Sequence, residues 1–238
     1  MARINPRRRV EIGLERKART RRAIVEAALR LFAERGFDAP TTDDIVASAG
    51  IARGTLYLHF QTKEEIMRHV ALEVTNATEE GFSEVLADIA DPVDRIALRM
   101  RLLCQKALKS PIWGMLLLRV VPTGPLGTNS RFGFQKDLVK ALASNSAKIC
   151  SLQSALDMVQ GTIILGIRSM LSKKDIAPHH IDDLIVTMLR GLGLETKAAT
   201  KVNSRTRTTY DKAIAAGQLS SLDSVAWQLG PLAACHGR

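Results

Sequence analysis

Residues Thr41 to Lys63 read TTDDIVASAGIARGTLYLHFQTK, and this stretch decides the fold. Thr41 stands just before an Asp43-Asp44-Ile45 run and three residues ahead of Asp44. A hydroxyl and a carboxylate at that spacing can satisfy the free amide donors of a helix start. Ile45, Val46 and Ala49 give that helix a narrow apolar face. Gly50 follows, and glycine reaches positive φ without a Cβ clash, which ends a helix sharply. Ile51 can bury itself in the angle between two helices. The run from Arg53 to Phe60 then supplies at most about two turns, with Leu56 and Phe60 four apart and inward. Arg53, Thr55, Tyr57 and His59 are left as polar groups on a helix too short to hide them. Two short helices joined by a glycine turn form the helix-turn-helix pattern, whose second helix enters a DNA major groove.

The run from Arg22 to about Val74 resembles the N-terminal domain of the TetR/AcrR family of bacterial one-component transcriptional regulators. Ala27, Leu31, Phe32, Gly36 and Phe37 carry the resemblance in the first helix and its exit. Thr41, Asp44, Ile45, Ala47, Ala49-Gly50, Gly54-Thr55-Leu56-Tyr57, His59-Phe60 and Lys63-Glu64 continue it in order and without a gap. Ala52 departs from the pattern, because the family usually places a capping Ser or Thr there; losing such a cap typically costs ~1 kcal/mol. The resemblance implies an all-α protein with a helix-turn-helix domain over 16–62. From Lys63 it implies a linking helix whose tilt transmits a ligand signal, and a helical ligand-binding and dimerisation body to residue 196. It also implies the activity: a homodimer that binds a palindromic operator, most commonly as a repressor, and is released by a small effector.

The 238 residues carry a net charge of +10, unevenly distributed. Within residues 1–22, nine bases (Arg3, Arg7, Arg8, Arg9, Arg16, Lys17, Arg19, Arg21, Arg22) face only Glu11 and Glu15. A basic end beside a helix-turn-helix is placed to meet phosphate, so residues 1–15 are expected to form a DNA-contacting arm led by Arg7, Arg8 and Arg9. The three cysteines, Cys104, Cys150 and Cys235, are odd in number and widely spaced, which predicts a reducing, cytoplasmic setting and no disulfide framework. Arg119 and Arg168 interrupt the two longest apolar stretches, so no membrane span is expected, and no apolar run follows the basic start as a signal peptide requires.

Beyond the head, helical periodicity persists. Asp91-Pro92 supplies an N-cap and an N1 proline, and Pro122 to Gly127 is dense enough in breakers to be a loop. Leu152, Leu156, Val159, Ile163, Gly166 and Met170 step by four and three, as do Ile181, Ile185, Met188 and Leu192. Such seams usually face their own core. Ile164, Leu165, Ile167 and Leu171 add a second apolar face, which a helical dimer needs, and Gly161 and Gly166 permit close helix approach. In the family the last two helices form a four-helix bundle across a two-fold axis. The expected self-interface is therefore Leu156, Val159, Ile163, Ile167, Ile181, Ile185 and Met188. Residues 197–238 show no sustained periodicity and read as a largely flexible tail.

Each polar residue of the reading element has an assignment. Arg53, Thr55 and Tyr57 are expected on DNA, an arginine making bidentate bonds to guanine and a threonine methyl meeting thymine. Tyr57, His59 and Lys63 suit phosphates, and Thr41 and Thr42 at a helix start lie over the backbone. In the body Met100, Leu103, Cys104, Trp113, Leu117 and Phe134 are the pocket candidates, each equally suited to ordinary core. Few polar residues interleave them, which predicts a largely apolar effector. Enzyme chemistry finds no support: there is no glycine-rich phosphate loop and no nucleophile elbow. His179-His180 lack a carboxylate or cysteine at ligand spacing, so neither metal nor cofactor is expected. A ligand-independent architectural binder, or an activator, would share the same head.

Overall fold

A computed structural model describes residues 6–120, 133–172 and 177–219. The described residues contain ten α-helices and no strand, as an all-α reading requires. They are α1 (Pro6–Arg35), α2 (Thr42–Ala49), α3 (Arg53–Tyr57), α4 (Lys63–Ala87), α5 (Pro92–Lys109), α6 (Pro111–Val120), α7 (Phe134–Ala143), α8 (Leu152–Ser172), α9 (His180–Gly191) and α10 (Thr196–Ala215). The chain divides into two compact units, with the boundary between Ala71 and Leu72 inside α4.

In the N-terminal unit, Ile24, Ala27, Ala28, Leu31 and Phe32 of α1 pack with Ile45, Leu56, Phe60, Ile66 and Val70, all buried. Helix α1 begins ten residues before the expected start at Arg16. Residues 10–19 are exposed on every face, so the extension carries no apolar stripe to announce it. The expected arm is thus partly helix, exposed at Arg8; the side chains of Arg7 and Arg9 lie outside the described residues.

In the second unit α5 is the central element. Thirteen of its residues are buried, too many for one face, so it is enclosed by its neighbours. Asp91 caps it, accepting from the Val93 and Asp94 amides at 2.8 and 3.3 Å. The seven expected interface residues are all buried within a single chain, Ile181 being the most exposed at 8 %. They fasten α8 and α9 to their own core. Gly166 serves that internal packing too: a Cβ there would fall 2.6 Å from Leu184 Cδ1, whereas one on Gly161 meets nothing within 4 Å.

Residues 197–215 depart most from the sequence reading, which made them part of a largely flexible tail. They lie in α10, with Ala199, Val202, Asn203, Thr206, Tyr210 and Ala213 buried along one side. That stripe is small and half polar, hence invisible to a search for apolar periodicity. Thr206 donates to the Asn203 carbonyl of α10 itself at 3.1 Å, and Asn203 is met from α5, where Arg101 donates to both Asn203 Oδ1 and Asp182 Oδ1 at 2.6 Å. Asp94 of α5 accepts both Nε and a terminal nitrogen of Arg205. Residues 220–238 of the expected tail, and the expected loop at 122–127, lie outside the described residues.

Candidate nucleic-acid interface and the interior of the body

Helix α2 is held at both ends by local chemistry. Thr41 Oγ1 accepts from the Asp44 amide at 3.1 Å, and Asp44 Oδ2 accepts from the Thr41 amide at 2.7 Å, closing a capping box. The Thr41 hydroxyl, which donates to Asp44 Oδ2 at 2.6 Å, and then the Thr41 amide hold the Asp44 carboxyl below its usual range, with Arg35 and Lys63 assisting. Gly50 sits at φ 64°, where its amide reaches the carbonyls of Val46 and Ala47 and turns the chain into α3. Ala52 caps α3 with no side-chain bond.

Leu56 and Phe60 face inward, and Arg53, Gly54 and Tyr57 face water with Thr55 half-buried beside them. Arg53 lies 3.4 Å from Asp43, both side chains more than 60 % exposed, and bonds the Tyr57 side chain as well. Leu58, the C-cap of α3 and 77 % exposed, is an apolar group that sequence reading did not single out. Thr41 stays exposed with its hydroxyl engaged in the cap, and Thr42 is half-buried. Lys63 donates to the Asp38 carbonyl at 3.0 Å, which leaves two of its three ammonium protons for other acceptors.

His59 follows α3 and is packed more closely than Arg53 or Tyr57. It is half-buried, its Nδ1 is enclosed without a partner in the protein, and burial, then Lys17 and Arg21, lower its pKa. Its carbonyl accepts from Arg21 at 3.2 Å, and the Arg21 guanidinium lies 4.4 Å from the centre of the Phe60 ring. Arg21 also contacts His69 of α4, itself edge-on to Phe60 at 5.2 Å. Arg21 and His69 thus tie α1, the end of α3 and α4 together. Sequence reading missed both, since no local spacing links residues 48 apart.

The pocket candidates Met100, Leu103, Cys104, Trp113, Leu117 and Phe134 are all at most 2 % exposed. Burial pushes the Cys104 thiol up to about 12, Arg101 only partly opposing it, so this sulfur is a packing atom without thiolate chemistry. The expected scarcity of polar groups around them does not hold. Arg99 is 4 % exposed and Asp137 1 %, and Arg99 contacts Glu79, Asp137 and the Phe134 ring. Arg95 bonds the other oxygen of Asp137 at 2.8 Å. These charges come from α4, α5 and α7 and are far apart in sequence, so their pairing could not be read from it.

Residues 24–70 match the family model described as bacterial regulatory proteins, tetR family, and residues 91–205 match the tetracyclin repressor-like C-terminal domain. The chain belongs to the TetR family. Among curated TetR-family relatives, the transcriptional repressor KstR2 of Mycolicibacterium smegmatis is 32 % identical over 79 residues, 33 % of this chain and 38 % of that protein. The regulator TtgR of Pseudomonas putida is 34 % identical over 91 residues, 38 % of this chain and 42 % of TtgR. The chain thus spans about two fifths of the length of the curated relatives it matches. The crystal structure of RolR with resorcinol superposes with a TM-score of 0.66 at 25 % identity, covering 81 % of this chain and 96 % of RolR. Both TetR-family matches coincide with the elements just described: the first spans α2 and α3 whole, the second α5 through half of α10. No helix among the described residues is long and apolar enough to cross a membrane.

Proposed function

We propose that this chain is a sequence-specific DNA-binding repressor that acts as a homodimer on a palindromic operator and is released by a small ligand in its body. The observation that carries the reading is the short, exposed α3, which offers Arg53, Thr55 and Tyr57 to a groove from a capped and buried scaffold. Arg53 and Thr55 read bases, while Lys63, Thr41 and Arg8 meet phosphate. KstR2 is a repressor by name, and RolR was crystallised with a small aromatic diol, which supports both halves of the proposal.

A partner chain would use the outward side of α8 and α9, where Leu165 is 61 % exposed and Gly161 lies open. A two-fold dimer presents two recognition helices to two half-sites, and their simultaneous engagement supplies most of the affinity. Helix α4 carries the chain from the head into the body, so a ligand that favours another setting of α4 breaks that joint engagement. A typical coupling of about 1–3 kcal/mol changes operator affinity about 5- to 150-fold.

Selection of bound duplexes from a random library tests the DNA half. A palindromic consensus is expected; Thr55→Ala should relax one position in each half-site, and Lys63→Ala should weaken all duplexes alike. If no consensus emerges, sequence-specific recognition is excluded.

A further inference from the structure

The crest of α3, the line pointing straight away from its scaffold, carries no polar side chain. The scaffold side is Leu56 and Phe60, 1 % and 0 % exposed. Each residue of a helix turns about 100°, so Gly54 and Leu58 stand about 160° and 200° round from Leu56, opposite the buried side. The helical path extends that far: Leu58 is in the αR conformation, and its amide donates to the Gly54 carbonyl at 3.3 Å. Leu58 is the most exposed large apolar side chain among the described residues. Arg53 and Tyr57, bonded to each other, flank the crest on one side, and half-buried Thr55 flanks it on the other.

Nothing inside the protein calls for glycine at position 54. Its φ is not positive, and a Cβ there would meet nothing within 4 Å. Glycine also weakens a helix as short as this one. What it provides is a low point on an exposed face, where another surface can come close. A helix that enters a major groove with this crest foremost meets base edges made of donors and acceptors, with one apolar group among them, the C5-methyl of thymine. Against any other edge the leucine would cover a donor or acceptor without pairing it, which costs affinity. We propose that Leu58 seats a thymine methyl in each half-site, with Gly54 leaving the depth for the base to be reached. This rests on the reading of α3 as the element that enters the groove, and it adds an apolar determinant of sequence to Arg53 and Thr55.

The operator obtained by duplex selection tests it once each thymine in turn is replaced by deoxyuridine, which lacks only the methyl, and the duplexes are titrated with the full chain. At one position in each half-site the replacement should weaken wild-type binding about fourfold, the factor for burying one methyl-sized group, and about fifteenfold when made in both. Leu58→Ala should bind the thymine duplex more weakly and bring the two duplexes to within about twofold at that position. Its Tm should match wild type, because the side chain lies in water. An operator in which every thymine is replaceable without loss would overturn the proposal, as would a consensus lacking thymine. So would discrimination that survives Leu58→Ala at every position. Each of these outcomes leaves sequence-specific binding standing, whereas the absence of any consensus removes the reading of α3 itself and this proposal with it.

Discussion

In the head, Arg53 and Asp43 sit 3.4 Å apart with most of both side chains in water; in the body, Asp137 is 1 % exposed and is shared between Arg95 and Arg99. The first pair is screened by solvent, contributes little to stability and separates easily, which suits the proposed exchange of partners for phosphate or base edges. The second was removed from water as a set, so no member can leave without stranding the others. One chain thus uses arginine as an exchangeable contact in one unit and as a fixed joint in the other.

The largest test of this contrast is Asp137→Ala. It leaves two guanidiniums facing only Glu79, and the expected cost is about 3–5 kcal/mol in urea denaturation. A loss below about 1 kcal/mol would mean that the buried cluster is not a joint at all. Next come paired variants on α8. Ile163→Asp should unfold the chain because Ile163 is 1 % exposed, whereas Leu165→Glu should leave the fold intact and yield a monomer in sedimentation. If Leu165→Glu sediments as a dimer, the partner sits on another face.

Thr41→Ala should cost about 0.5–2 kcal/mol by opening the capping box, and it should act on the head alone. Proton linkage separates the units more finely. Burial, with Arg21, lowers the pKa values of His59 and His69, so the unfolded chain binds protons first as pH falls through about 6.5; Glu65 only partly opposes this at His69. Head stability is therefore complete above that pH and declines below it. Glu79 has the opposite sign: burial raises its pKa despite Arg99, so acidification favours the folded body there. Hydrogen exchange at pH 7.5 and 5.5, corrected for intrinsic rates, should show α3 opening more readily while α5 is spared. Equal loosening of both would break the comparison. Smallest in stability is Arg53→Ala, expected within about 0.5 kcal/mol of wild type while operator affinity falls.

The legibility of the two units follows the same contrast. Thr41, Asp44 and Gly50 fix α2 through partners within a few residues, so the head could be read almost to its caps. The seams of α8 and α9 revealed two helices but not which way they face, since a core stripe and a dimer stripe have the same period. Helix α10 escaped because Ala, Asn and Thr dilute Val202 and Tyr210 on its buried side, and the Arg101 that meets Asn203 lies elsewhere in the chain. The Glu79–Arg99–Asp137 cluster was illegible for that reason too: each charge reads as solvated until the fold brings its opposite number to it.

On the proposed function, Asp43 stands opposite Arg53 as an internal rival of any duplex. A nonspecific sequence offers Arg53 a phosphate in exchange for a carboxylate, a trade of one anion for another with little net gain. A correct site offers a planar pair of acceptors on guanine, which a single carboxylate contact at this separation does not match. The rivalry shortens residence on wrong sequences more than on the right one. If the chain is the repressor proposed, it then spends less of its time stalled between operators.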